Sequence, residues 1–293
     1  MTGRPRLHLP RGTAGADGDP VAITPESAGW RYTGLTVIEL EPGGTREIET
    51  EDREMLVVPI EGACVVEVDG GRFELDGRSS VFDRVTDFAY VPIDAAFRLE
   101  SARGGRFALP SARAGRRFRA AYGPAEQVPV EVRGSGAATR QVTNFFAPGV
   151  MDAERLVAVE VLAPGGNTSS YPPHKHDAAT PGGEAELEEI YYYGFDRPQA
   201  FGLHRTYAAD GGFDVTAAVA DGDVFLVPRG YHGPCAALPG YPMWYLNVLA
   251  GPAAERSLAF SDDPAHAWIR PSWEAEAPDP RVPMTTAAGR RTP

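Results

Sequence analysis

Short apolar runs rich in valine, phenylalanine and tyrosine recur along the chain: MLVVPI, CVVEV, FAYVPI, LVAVEVL, EIYYYGF, VFLVP and WYLNVLA. Between them stand glycine and proline clusters such as EPGG, VDGG, APGG, TPGG, ADGG and LPG, drawn from 33 glycines and 27 prolines. Apolar residues at helical spacing are nearly absent; PSWEAEAP and DDPAHAWI each hold about one turn of helix. Short strands punctuated by turn residues predict an all-β chain built as a sandwich or barrel.

The pattern repeats weakly. LEPGG, EMLVVPIEGACVVEVDG and FAYVPIDAAFRL in the first half are echoed by LAPGG, EEIYYYGF and DGDVFLVPRGYH in the second. Each set reads as a turn, an acidic residue opening a strand, a hairpin, and a strand ending in Val-Pro. Two similar β units in tandem account for the length of 293 residues. The small polar stretch RGSGAATRQ (133–141) reads as the linker between them. This gives an N-terminal arm (1–28), a first unit (29–132), a second unit (133–273) and a C-terminal tail (274–293). The arm and tail are polar and are expected to be loosely held.

A net charge of −12 disfavours nucleic-acid binding, and the arginine-dense run Arg103–Arg119 reads as a solvated hairpin rim. No apolar run is long enough to span a membrane and no signal peptide is visible, so a cytoplasmic location is expected by default. Cys64 and Cys235 are too few and too distant for a disulfide scaffold and read as structural residues.

The chemistry concentrates in the second half. In YPPHKHD, His174 and His176 are two residues apart, so a strand places both imidazoles on one face, where both reach one ion. The same alternation turns Lys175, the one lysine of the chain, away from them. An acidic insert follows and closes in Glu188 and Glu189, either of which can supply a carboxylate. GDVFLVPRGYH then delivers His232 from a tight turn. Three nitrogens and one oxygen suit zinc, manganese, iron, nickel or copper, with positions left open for water or substrate. His204 and His266 read as structural, and Asp223 as a turn-fixing residue.

HxH, a following glutamate and GDxxxxPxGxH resemble the two signature motifs of the cupins. More closely, YPPHKHD, ELEEIYYYGFDRPQAFG, DGDVFLVPRGYH, YLNVLAGP and DPAHAWI resemble the 5-deoxy-glucuronate isomerases of inositol catabolism. RGSG…RQVTNF, TPESAGWRYTGL and VFDRVTDFAYVP extend the likeness from about residue 20 to 270. The resemblance implies a bicupin with two jelly-roll-type barrels, of which only the second carries metal. Its implied ligands are His174, His176, Glu189 and His232, around one divalent ion, zinc or manganese first, with iron and nickel as further options. Glu189 is preferred because it directly precedes the Ile-Tyr strand and shares a face with Tyr191 and Tyr193; Glu188 faces away. Gly233 stands where the family often has proline, and His204 where it usually has glutamine.

The implied reaction converts 5-deoxy-glucuronate, a small sugar acid, to 2-deoxy-5-keto-gluconate by moving a carbonyl between neighbouring carbons. Tyr191, Tyr193 and Tyr245 are the candidate acid–base residues, and Arg205 and Arg229 the candidate partners of the substrate carboxylate. A homodimer is the expected assembly. Two other classes share the ligand set or the fold: a cupin dioxygenase with iron, and a non-catalytic sugar-binding bicupin.

Overall fold

The computed structural model describes residues 6–181 and 183–291. The chain is nearly all β, as expected. Strands from Val21–Ile23 to Ala121–Gly123 form one curled nine-stranded sheet system. The second half builds two sheets. A seven-stranded sheet has the order His8–Leu9, Val224–Val227, Glu188–Phe195, Met243–Ala250, Val157–Ala163, Arg140–Thr143, Val130–Arg133. A six-stranded sheet faces it, centred on Phe201–Tyr207 and Tyr231–Ala237 and carrying His174–Lys175 and Ser261–Asp262 at its edge.

Three cores explain why several strands are apolar on both faces. In Met243–Ala250, Trp244, Leu246, Val248 and Ala250 join a core shared with the first unit, whereas Met243, Tyr245 and Leu249 fill the interior of the second. In Arg53–Val68, Leu56, Val58 and Ile60 enter the shared core, and Met55 and Val57 the first unit's interior. Period-two alternation thus sends one side chain set into a barrel and the other into the junction between barrels.

The acidic residues that open the echoed strands lock this junction reciprocally. The Glu188 carboxylate accepts the backbone N–H groups of Arg31, Tyr32 and Thr33 at 2.7, 2.9 and 2.9 Å. Glu54, in the first unit, accepts those of Glu154, Arg155 and Leu156 at 3.0, 2.7 and 2.8 Å, and the Tyr90 hydroxyl as well. Each unit therefore caps the backbone that leads into a strand of the other. A buried ion pair between Arg78 and Glu160 crosses the same junction.

Two expectations are corrected. RGSGAATRQ is not a linker but the turn and second strand of a hairpin whose strands, Val130–Arg133 and Arg140–Thr143, both belong to the second unit. Its polarity reflects a turn. The ends of the described chain are docked rather than loosely held. Leu7 and Leu9 are buried, with His8–Leu9 paired to Val224–Val227. The Gln141 amide oxygen accepts the N–H groups of Met284 and Thr285 at 2.8 and 3.0 Å, holding the C-terminal hairpin.

Glu54→Ala and Glu188→Ala each leave three backbone N–H groups without their charged acceptor. Each is expected to lower stability by about 2–4 kcal/mol in urea denaturation. A loss below about 0.5 kcal/mol in both, the scale of an ordinary surface substitution, would contradict the reciprocal clasp.

Candidate metal centre

The edge strand His174–Lys175 lies beside Tyr231–Ala237 with His174 directly opposite His232. Glu189 enters from the facing sheet. His176, Glu189 and His232 bring one ligand atom each to within 4.8 Å of one another, all three side chains buried. His174 adjoins them, its ring centroid 4.5 Å from that of His232 and 6.5 Å from that of His176.

Each imidazole is oriented from behind. Nδ1 of His174 lies 3.2 Å from the Pro172 carbonyl oxygen, Nδ1 of His176 3.1 Å from that of Leu187, and Nδ1 of His232 3.4 Å from that of Gly230. A carbonyl can only accept, so Nδ1 carries the proton in all three and the Nε2 lone pairs turn inward. Nε2 of His176 and of His232 stand 2.9 and 3.1 Å from the same Glu189 oxygen, Oε2. The His232 contact is not aligned as a hydrogen bond, which leaves its Nε2 an orphaned buried polar atom. Two lone-pair donors crowded on one carboxylate oxygen, one of them unsatisfied, fit a cation between them. Burial would raise the Glu189 carboxyl, but the neighbouring imidazoles of His232 and His176 outweigh it and hold it below the ordinary carboxylate range.

Lys175 points away from the imidazoles, as alternation requires. Its ammonium is held by Asp177 at 2.6 Å and by both oxygens of Glu184 at 2.8 and 2.9 Å. Asp177 also accepts the Gly230 N–H at 2.8 Å, tying the HxH segment to the turn that presents His232. The acidic insert is thus a latch around Lys175, a role not read from its composition. Glu188, the other carboxylate candidate, faces the first unit in the clasp described above. Gly233 is required where it stands: its φ is +103°, and a Cβ there would lie 1.7 Å from the Ser170 carbonyl oxygen.

A cavity of about 160 Å³ opens beside the cluster, its lining including His174, His176, Glu189, Ser170, Tyr191, Tyr245, Asn247, Arg133 and Arg140. The Ser170 hydroxyl lies 3.2 Å from that of Tyr191 and 3.3 Å from that of Tyr245. Ser170 has φ +48°, an uncommon conformation for a residue with a Cβ, and so a marked position in the cavity wall. Burial pushes both phenols above their ordinary range, so they are neutral donors.

Other expected residues lie elsewhere. Tyr193 sits behind the cavity, its hydroxyl 2.6 Å from His204 Nδ1 and 3.4 Å from Cys235 Sγ; His204 in turn reaches the Thr206 hydroxyl at 3.0 Å. Burial pushes the Cys235 thiol up to about 12, which marks it as inert at neutral pH. Arg205 and Arg229 do not reach the cavity. Arg205 is forked onto Asp214 at 3.0 and 2.7 Å, and Arg229 pairs with Asp210 at 3.3 Å, both on the surface. Strand alternation and hairpin neighbours of opposite charge take these side chains outward.

The sequence profile of the KduI/IolB family matches residues 8–269. The chain belongs to the KduI/IolB family. Relatives include the 5-deoxy-glucuronate isomerase of Geobacillus kaustophilus (strain HTA426), 39% identical over 269 residues, covering 91% of this chain and 96% of the relative. The 5-deoxy-glucuronate isomerase of Bacillus subtilis (strain 168) is 36% identical over 249 residues, covering 84% and 91%. Among solved structures, an IolB-like protein from Salmonella typhimurium LT2 superposes with a TM-score of 0.84 at 34% identity, covering 90% of this chain and 98% of that one. A single-residue variant of the oxalate decarboxylase of Bacillus subtilis superposes with a TM-score of 0.63 at 14% identity, covering 89% and 80%. That second likeness shows the fold alone, the tandem cupin. Among the described residues of this KduI/IolB family member, no helix is long and apolar enough to cross a membrane.

Glu189→Gln and His232→Ala are expected to lower divalent-metal affinity by roughly 100-fold or more, since removing a mere supporting partner of a ligand costs about 10–100-fold. Glu188→Gln keeps full metal content. Elemental analysis after dialysis checks all three; full metal content in the Glu189 and His232 variants would overturn the ligand assignment.

Proposed function

We propose that the protein is a 5-deoxy-glucuronate isomerase that uses one divalent cation held by His174, His176, Glu189 and His232. The observation that carries this reading is the convergence of backbone-oriented imidazoles on the Glu189 carboxylate at the wall of a hydroxyl-lined cavity. The names of the relatives supply the sugar. Three imidazoles and one carboxylate suit zinc or manganese, and such an ion supplies a Lewis acid that stabilises negative charge on adjacent sugar oxygens.

The remaining work falls to the chain itself. Aldose-to-ketose conversion moves one proton from C2 to C1, carried by a solvent-exchangeable base in the cavity, and another from O2 to O1. Neutral Tyr191 and Tyr245 donate hydrogen bonds to the sugar oxygens, where charge develops in the transition state. Ser170, within reach of both hydroxyls, passes the oxygen-bound proton between them. Tyr193 is a positioning residue: its ring stacks on Tyr191 with centroids 6.0 Å apart, while its hydroxyl is committed to His204. The apolar residues Leu187, Val159, Leu249, Leu258 and Phe260 complete the wall and thin the water around the reacting carbons.

Incubation with 5-deoxy-glucuronate in D2O, followed by NMR, is expected to yield the ketose with deuterium on the former aldehyde carbon and no consumption of oxygen. A chelator abolishes turnover, and one equivalent of divalent ion restores it. Absence of ketose from metal-loaded, folded protein would refute the assignment. Tyr245→Phe is expected to lower kcat by about 10²–10⁴-fold, the usual range for loss of an acid–base group, with metal content unchanged; an unaltered kcat would remove Tyr245 from the mechanism.

A further inference from the structure

Arg140 is an unusual cation. It is 5% exposed, and among the described residues no carboxylate lies within ion-pairing distance of its guanidinium. What surrounds it is one backbone acceptor, the Ala138 carbonyl oxygen at 3.0 Å from Nη1, and the face of Trp273 at 5.4 Å. Burial lowers its pKa to about 10, which still leaves it charged at neutral pH. Directly across the hairpin, Cα opposite Cα, stands a second cation, Arg133. Like charges in that relation are destabilising unless something satisfies them. Arg133 is partly answered by Glu131 at 2.9 and 2.7 Å; Arg140 feels the same carboxylate only from a distance, with no hydrogen bond to it.

The turn of the hairpin leaves room for the Arg140 side chain. Gly134, with φ +82°, opens the turn, and a Cβ there would lie 2.2 Å from the Ala138 carbonyl oxygen, the acceptor of Arg140 Nη1, and 2.8 Å from Nη1 itself. Both guanidinium-bearing residues line the same cavity as His174, His176 and Glu189. Asn247 lines it too, with a buried side-chain amide nitrogen that has no hydrogen-bond partner. The cavity thus has the imidazole–carboxylate cluster in one region, a positive region at the hairpin, and a free donor.

We propose that Arg140, assisted by Arg133, is the binding subsite for the carboxylate of the sugar acid, and that the Asn247 amide donates to one of its hydroxyls. This rests on the isomerase reading and adds the element that selects an acid over a neutral aldose. A guanidinium presents paired donors matched to a carboxylate, so substrate binding supplies the buried cation with the partner the protein withholds. The carboxylate takes no part in the proton transfers. The contact is therefore equally strong in the ground and transition states, and its loss appears in KM and not in kcat.

The test is steady-state kinetics on metal-loaded wild type, Arg140→Lys, Arg140→Gln and Arg133→Gln. The substrates are 5-deoxy-glucuronate and its neutral analogue with a hydroxymethyl group in place of the carboxylate. Metal content and thermal midpoint are measured in parallel. Expected is a rise in KM for the acid of about 10- to 100-fold in the Arg140 variants and a smaller rise in Arg133→Gln, with kcat within a few-fold of wild type. The wild-type preference for the acid over the neutral sugar shrinks correspondingly. Unchanged KM in Arg140→Lys and Arg133→Gln, or equal use of both sugars by wild type, overturns the subsite while leaving the isomerase reading intact. If the Arg140 variants do not fold, Arg133→Gln, on a half-buried and separately paired residue, decides the matter alone. Wild type inert toward both sugars sinks the isomerase reading itself, and the subsite with it.

Discussion

The alternation of a single strand, Glu188–Phe195, holds the molecule and its chemistry together. Glu188, Ile190 and Tyr192 turn to the first unit, where the acid caps a backbone segment and the apolar pair joins the shared core. Glu189, Tyr191 and Tyr193 turn inward, to the imidazoles and the polar chain beneath them. A slip of one residue would exchange the two sets, placing Tyr191 and Tyr193 in the shared core and the apolar pair beside the imidazoles. The docking of the two units and the position of the Glu189 carboxylate are therefore one constraint.

The first unit obeys the same geometry without the chemistry. Glu54 occupies the outward position that Glu188 has in the second unit, so the next residue faces the interior. That residue is Met55, buried among apolar neighbours, where the second unit has Glu189. The first unit's contribution is mechanical. It accepts the Glu188 clasp, returns one through Glu54, and covers the outer face of the sheet that carries Glu189, Tyr191 and Tyr245. Rigid support of this kind is what a site built from facing sheets needs to hold donors within a few tenths of an ångström of their working positions.

The all-β architecture and the tandem arrangement were legible because strand alternation and turn residues are local signals. HxH, the Glu189 strand and the His232 turn were legible for the same reason: each is a short motif whose spacing fixes a face. The clasp was visible only as an echo of acids opening strands, since their partners are backbone N–H groups more than 90 residues away in sequence, and backbone donors leave no mark in a sequence. The arginines failed differently. Arg205 and Arg229 are near the motif in the chain but have acidic neighbours of their own, whereas Arg140 reaches the cavity by a hairpin whose small polar turn has the composition of a linker. Ser170 gave no signal at all, because its importance lies in a left-handed backbone and in two tyrosines drawn from different strands.

Anomalous diffraction from crystals of the protein as purified, with data collected on either side of the absorption edge of the metal found in it, tests the central claim most directly. The account predicts one strong peak per chain, enclosed by the Nε2 atoms of His174, His176 and His232 and a carboxylate oxygen of Glu189. A peak elsewhere, or isomerase-active crystals with no peak among those four side chains, would contradict it.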